Sequence, residues 1–154
     1  MKNFKHSLMQ NNITSDDISK IVTFLKKKPI LTNYKKVIEF ERKWSKWLGV
    51  NYSVFVNSGS SANFLTMKCV KEIFGNGEVI LPPLTWISDI VATIDAGFRP
   101  IFADINLKTL SLDEKEILKK ITKKTKAVFI THAQGFNGLS DNLLRILKKK
   151  KILL

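Results

Sequence analysis

The spacing of hydrophobic residues changes near residue 50. Before this point they recur at intervals of three and four, the period of helices with one apolar face. Beyond it, short continuous apolar runs alternate with amphipathic stretches. The pattern therefore predicts an N-terminal helical segment over residues 1–50, followed by alternating strands and helices over residues 51–154.

Two helices are predicted in the first segment. One covers residues 14–28 and ends before Pro29, and the other covers residues 34–48 and ends at Gly49. The second helix carries three large aromatic side chains at helical spacing, namely Phe40, Trp44 and Trp47. Their simplest interpretation is core or interface packing.

The rest of the chain predicts an α/β fold with three layers, α/β/α, around a mostly parallel sheet. Continuous apolar strands separated by amphipathic helices are typical of a sheet that is covered on both faces. The pattern predicts strands over 52–56, 78–82, 100–105, 127–131 and 151–154, and helices over 61–74, 85–97, 113–120 and 139–150.

Polar residues follow the predicted strands directly, where parallel sheets bind ligands. The stretch VNSGSSAN (residues 56–63) is a small-residue turn that opens a helix. Gly59 allows a tight turn, and Ser60 and Ser61 supply hydroxyl groups and amides at a helix N-terminus, which attracts anions. A plain helix cap explains the same residues. The stretch matches neither the Walker nor the dinucleotide-binding pattern.

Two further residues lie at predicted strand ends. Trp86 follows the second strand, where an aromatic face can stack on a flat heterocycle, although core packing is the simpler explanation for a lone tryptophan. Together with the Gly59 turn it suggests a phosphorylated aromatic cofactor. His132 follows the fourth strand; local hydrogen bonding is its simplest interpretation.

The net charge of +13 raises the question of nucleic-acid binding. The excess lies at the two ends: residues 1–50 carry a net +7 and residues 107–154 a net +8, whereas residues 51–106 carry −2. It also consists of 23 lysines against 3 arginines, and arginine is the side chain that base and phosphate recognition prefer. A solvated basic surface is therefore favoured over a nucleic-acid partner.

The single cysteine and the absence of long apolar runs indicate a cytoplasmic protein that neither crosses nor binds a membrane. Cys69 falls on the predicted apolar face of the helix over 61–74, so a buried structural role is expected rather than a catalytic one. The sequence predicts no metal site.

From about residue 30 onward the chain resembles the DegT/DnrJ/EryC1/StrS family of sugar aminotransferases. Those enzymes use pyridoxal 5'-phosphate and have the aspartate aminotransferase (fold-type I) architecture. The resemblance is carried in order by four stretches: NYKKVIEFERKWSKWLGV, VNSGSSAN, GNGEVILPPLTWISDIVATIDAGFRPIFADI and ITKKTKAVFITHAQG. It implies that residues 51–154 are an incomplete cofactor-binding large domain.

The resemblance also implies roles for individual residues. Ser60 and Ser61, with Gly59 at the turn, would hold the cofactor phosphate, and Trp86 would lie against the pyridine ring. The family's aspartate for the pyridine nitrogen and its cofactor-binding lysine would follow Leu154, and no lysine of this sequence occupies the matching motif. We therefore expect no catalytic residue in this chain, and no transamination by the chain alone.

The function implied by the resemblance is amino transfer from a donor such as glutamate to a nucleotide-linked keto sugar, by a homodimer. A second possibility is a 3-dehydratase of keto-deoxy sugars, since some relatives carry a histidine in place of the lysine. A third is a non-catalytic fragment or basic binding module.

Overall fold

The computed structural model describes residues 11–154. The chain divides into two compact units, Met1–Phe55 and Val56–Leu154. The first ten residues of the predicted segment 1–50 lie outside the described residues.

Two helices form the described part of the first unit, α1 (Ser15–Lys26) and α2 (Lys35–Leu48). Thr14 begins α1 with a capping box: its hydroxyl accepts the Asp17 backbone N–H, and the Asp17 carboxylate accepts the Thr14 N–H. Gly49 ends α2 in the left-handed conformation (φ 76°), where glycine has no steric cost. Both helices were expected from the sequence, to within two residues at each end.

The aromatic side chains of α2 form an exposed cluster. The rings of Phe40 and Trp44 stack at 5.8 Å between centroids, Trp44 and Trp47 lie 4.9 Å apart, and Phe55 meets Phe40 edge-on at 5.5 Å. Trp47 nevertheless remains 74% exposed. The expectation of core packing is wrong here, because the described part of this unit supplies too few apolar neighbours to enclose these rings; interface packing stays a prediction.

The second unit contains a three-stranded parallel sheet. Its elements are α3 (Gly59–Phe74), β1 (Glu78–Leu81), α4 (Ile87–Asp95), β2 (Arg99–Phe102), α5 (Glu114–Lys120), β3 (Thr125–Val128), a 3-10 turn at Ala133–Gly135 and α6 (Asp141–Lys150). The strand order is β2-β1-β3, with all pairs parallel. All four residues of the central strand β1 are buried.

Alternate residues of the central strand enter two separate cores. Val79 packs with Met67 and Val70 of α3, in a cluster that includes residues of α4. The next residue, Ile80, joins Ile117 of α5 in a cluster that includes Leu143 and Leu147 of α6. Because successive side chains of a strand point to opposite faces, α3 and α4 cover one face and α5 and α6 the other. The predicted three-layer α/β/α fold is confirmed.

Two predicted strands differ in the structure. Residues 52–56 form no strand. A strand requires a hydrogen-bonded neighbour, and none pairs with this run among the described residues. Near Leu154, the strand predicted over 151–154 is reduced to a single parallel bridge between Leu153 and Ala127.

Cys69 is exposed, so the expected burial is wrong. The buried positions of α3 are Met67 and Val70, three residues apart. Cys69 is two residues beyond Met67, about 200° around the helix, and therefore points away from the sheet. The predicted apolar face consisted of Ala62, Leu65, Cys69, Val70 and Ile73. It was out of phase, because Leu65 and Ile73 are exposed together with Cys69, and only Val70 is buried.

The lysine-rich stretches lie on the surface at helix ends. The last turn of α6 contains Lys148, Lys149 and Lys150, and the last turn of α5 contains Lys119 and Lys120. The helix dipole stabilises positive charge at these C-terminal ends. Within residues 11–154, no helix has both the length and the hydrophobicity that a membrane crossing demands.

Candidate functional site

Helices α3 and α4 lie side by side with their N-termini at the same end. Near those N-termini, the Asn63 side-chain amide donates to Ser88 Oγ at 3.1 Å. Near the C-termini, Lys68 Nζ donates to the Asp95 carbonyl at 2.6 Å, and Lys71 Nζ to the Gly97 carbonyl at 2.8 Å. Because later residues of α3 contact later residues of α4, the two helices must run parallel. Since α4 follows β1 after a short loop, both N-termini lie at the carboxyl end of the sheet.

The N-terminus of α3 is a polar turn. Ser58 is the N-cap, and its hydroxyl oxygen accepts the Ser61 backbone N–H at 3.1 Å. The Ser61 hydroxyl donates to Asn57 Oδ1 at 2.7 Å. Ser60 is exposed, and its side chain makes no hydrogen bond with any other described residue. No atom lies within 4 Å of the position that a Cβ on Gly59 would take. This opening leaves room for a ligand at the helix N-terminus.

Trp86 is the N-cap residue of α4 and its side chain makes no capping hydrogen bond. The indole is 73% exposed. An exposed indole at the start of a helix presents an apolar face to whatever binds at the sheet edge. The alternative of core packing is wrong, and stacking on a cofactor ring stays a prediction.

His132 begins the 3-10 turn after β3 and is exposed. Its Nδ1 lies 3.2 Å from the Phe136 carbonyl oxygen, which is the local hydrogen bonding expected from the sequence. The structure gives it no further partner among the described residues.

A buried aspartate that the sequence analysis missed lies between these segments. Asp89, in the first turn of α4, is only 6% exposed, and its carboxylate accepts hydrogen bonds from the side chains of Asn63, Thr85 and Thr131. The sequence held one signal, a lone acidic residue inside the apolar run WISDIVATI. Because helix propensity alone is compatible with an exposed aspartate there, only the structure reveals the burial.

An apolar groove of about 360 Å³ runs beside β3. Asn63 and His132 lie among its lining residues, together with Met67 and Val70 of α3 and Ile130 after β3. The carboxyl end of the sheet is thus polar at the helix N-termini, whereas the groove beside β3 is mainly apolar.

The arrangement suits a ligand with an anionic group and a flat aromatic ring. The helix N-terminus at Ser60 attracts the anion, and Trp86 offers a surface for the ring. A phosphorylated pyridine fits both features. Among residues 11–154, no group of three His, Cys, Asp or Glu side chains is placed to hold a metal ion.

Comparison with known proteins agrees with this fit. The sequence profile of the DegT/DnrJ/EryC1/StrS aminotransferase family matches residues 11–154. The chain belongs to this family. The solved structures similar to it include pyridoxal phosphate enzymes of fold-type I, as the resemblance implied.

Three relatives show the range of the DegT/DnrJ/EryC1/StrS family around this chain. The spore coat polysaccharide biosynthesis protein SpsC of Bacillus subtilis is 36% identical over 116 residues, which are 75% of this chain and 30% of that protein. A dTDP-4-dehydro-2,3,6-trideoxy-D-glucose 4-aminotransferase of Saccharopolyspora spinosa is 32% identical over 117 residues, 75% of this chain and 30% of the enzyme.

The third relative is a solved structure. A GDP-4-keto-6-deoxymannose-3-dehydratase with a trapped PLP-glutamate geminal diamine superposes with a TM-score of 0.85 at 26% identity, over 97% of this chain and 40% of the other. The chain therefore spans 30–40% of the length of these relatives.

Proposed function

We propose that this chain forms the phosphate-binding portion of a pyridoxal 5'-phosphate-dependent aminotransferase that acts on a nucleotide-linked keto sugar. The observation that carries the proposal is the parallel pairing of α3 and α4. It brings the open helix N-terminus at Gly59, Ser60 and Ser61 to the same end of the sheet as the exposed indole of Trp86.

In this proposal the residues of the chain bind and orient the cofactor. The backbone N–H groups at the start of α3 and the Ser60 hydroxyl donate to the phosphate, whose charge the helix dipole favours. Trp86 would offer its indole face to the pyridine ring. When bound, the cofactor supplies an electron sink for amino transfer.

The remaining features of the proposal are those that the sequence and its resemblance to the family imply. The substrate is a nucleotide-linked keto sugar, the amino donor is a compound such as glutamate, and the active form is a cytoplasmic homodimer engaged in polysaccharide biosynthesis. The names of SpsC and of the Saccharopolyspora aminotransferase support this class of reaction.

A 3-dehydratase of keto-deoxy sugars is the second candidate. The solved dehydratase, which superposes over 97% of this chain, supports it. The residue that separates the two activities, lysine or histidine, has no counterpart in residues 1–154, so both reactions share the site proposed here.

The proposal is tested by titrating the chain with pyridoxamine 5'-phosphate and, as the matched control, with pyridoxamine. Neither compound carries an aldehyde, so neither condenses with the 23 lysines. Calorimetry should detect binding of the phosphorylated compound only. Equal affinity for both compounds, or no binding of either by folded chain, would contradict the proposal.

A further inference from the structure

The buried carboxylate of Asp89 makes no ion pair among the described residues. It is 6% exposed. Removing an ionised carboxylate from water is costly unless hydrogen bonds replace its hydration. Its place in the first turn of α4, where the helix dipole favours negative charge, offsets part of that cost.

The hydrogen bonds come from three separate segments of the chain. From α3, the Asn63 amide donates to Oδ1 at 2.6 Å. From the loop after β1, the Thr85 hydroxyl donates to Oδ2. From the segment after β3, the Thr131 hydroxyl lies 3.2 Å from Oδ2 and 2.6 Å from Thr85 Oγ1, so its single proton reaches the carboxylate either directly or through the Thr85 hydroxyl. Ser88 adds a bond to Oδ1 at 3.3 Å.

Each donor is close in sequence to a residue of the candidate site. Asn63 is two residues from Ser61, Thr85 precedes Trp86, and Thr131 precedes His132. We infer that Asp89 is the positioning residue of this site: its carboxylate holds the N-terminus of α3, the Trp86 segment and the segment after β3 in one arrangement. The functional part of this inference rests on the proposed function, and its structural part does not.

A carboxylate suits this position because it only accepts hydrogen bonds. Its two oxygens offer about four acceptor sites, and the donor groups of four side chains lie within hydrogen-bond distance of them. The substitution Asp89→Asn would remove the charge and replace one accepting oxygen by an N–H group, so that the side chain could accept from fewer of these donors. Since a buried donor without an acceptor is destabilised, the segment it belongs to should shift away.

The first test follows hydrogen exchange of backbone amides without ligand. We expect Asp89→Asn to speed exchange at least fivefold in residues 57–64 and 129–134. The matched control is Asp95→Asn, an exposed carboxylate on the same helix, and it should change nothing. Ile117→Val in the core on the opposite face serves as a general destabilisation control, with no selective effect on these segments.

A reciprocal exchange of the two side chains provides the rescue. The double variant Asn63→Asp with Asp89→Asn restores a carboxylate–amide hydrogen bond between α3 and α4 with donor and acceptor reversed. Hydrogen exchange in residues 57–64 should return most of the way to the wild-type rate. In the same variants, pyridoxamine 5'-phosphate affinity should fall about tenfold in Asp89→Asn and recover in the double variant.

The outcomes separate this inference from the proposed function. Accelerated hydrogen exchange in a chain whose wild type binds no pyridoxamine 5'-phosphate would retain the positioning role and reject the cofactor proposal. Unchanged hydrogen exchange in Asp89→Asn, acceleration equal to that in Ile117→Val, or failure of the double variant to rescue would overturn the positioning role.

Discussion

At the scale of single residues, the two serines of the proposed phosphate-binding turn differ in the structure, although the sequence analysis gives Ser60 and Ser61 the same role. The Ser61 hydroxyl and backbone N–H are engaged with Asn57 and Ser58, whereas the Ser60 side chain is exposed and makes no hydrogen bond to another described residue. The sequence predicts a polar helix start, but the distribution of capping bonds depends on backbone geometry. Ser60 is therefore the better-placed hydroxyl for a ligand.

Replacing both Ser60 and Ser61 by alanine should weaken pyridoxamine 5'-phosphate binding by tenfold or more, because a hydrogen bond to a charged group contributes about 1.5–3 kcal/mol. Ser60→Ala alone should cause most of that loss, with Ser61→Ala as the matched comparison. Calorimetric titration of the three variants measures it. A double variant with wild-type affinity would remove both serines from the site.

The exposed indole of Trp86 leads to a graded prediction. Stacking contributes about 0.5–1.5 kcal/mol beyond area burial, so Trp86→Ala should weaken pyridoxamine 5'-phosphate binding several-fold, and Trp86→Phe should retain most of the affinity. Trp47→Phe, in the other unit, is the control. Equal losses in the alanine and phenylalanine variants would argue against stacking.

At the scale of elements, the helices were predicted well and the strands less so. Spacing and caps define a helix locally, as Thr14 and Gly49 show. A strand depends on its neighbour: the apolar run 52–56 has the composition of a strand and yet pairs with nothing among the described residues. The phase of α3 also depended on tertiary contacts, since the packing at Met67 and Val70 left Cys69 outside.

Gly77, the residue before β1, lies close to the backbone and side chains at the start of β3. A Cβ at this position would lie 2.5 Å from the Lys124 carbonyl oxygen and 2.5 Å from Lys126 Cγ. Gly77→Ala should therefore lower the free energy of unfolding by about 1–3 kcal/mol, as overpacking does. Urea denaturation measures it, with Gly59→Ala, whose Cβ enters open space, as the control. Equal stability of the two variants would mean that this close approach does not exist.

In α2, Glu39 lies between two lysines. Hydrogen bonds from Lys43 and Lys36, each 2.9 Å long, together with their positive charges, lower the pKa of Glu39 from 4.5 to about 2. Because the folded-state pKa is lowered, the stabilisation is present above the ordinary pKa and is lost as the pH falls from about 4.5 towards 2. Solvent exposure makes the effect small and sensitive to salt.

Titration of the Glu39 carboxyl by NMR should show a midpoint clearly below 4.5 at low ionic strength. Lys43→Gln should raise that pKa towards its ordinary value, since it removes one donor and one charge. Lys46→Gln on the same helix should raise it less. A midpoint near 4.5 in the wild type would show that the ion pairs do not persist in solution.

At the scale of the whole molecule, the sequence was sufficient for the layered α/β fold and for the positions of Trp86 after β1 and His132 after β3, whereas the Ser60 turn follows no strand in the part of the chain that the structure describes. The sequence could not reveal the burial of Asp89, because its hydrogen-bond partners come from three segments that meet only in the folded chain. The positive charge lies at the two ends of the sequence, since residues 51–106, which carry the motifs, have a net charge of −2. The anion binding proposed at the α3 N-terminus would therefore rest on local amides and hydroxyls rather than on the net charge of +13.

The most direct test of the proposed cofactor site is NMR mapping of pyridoxamine 5'-phosphate on the isotopically labelled chain. We predict that the largest shifts fall on the backbone amides of Gly59, Ser60 and Ser61 and on the indole N–H of Trp86, and that pyridoxamine leaves the three amides unchanged. Shifts concentrated instead in the lysine-rich stretches 121–126 and 147–151 would indicate charge attraction alone and would contradict the proposed site.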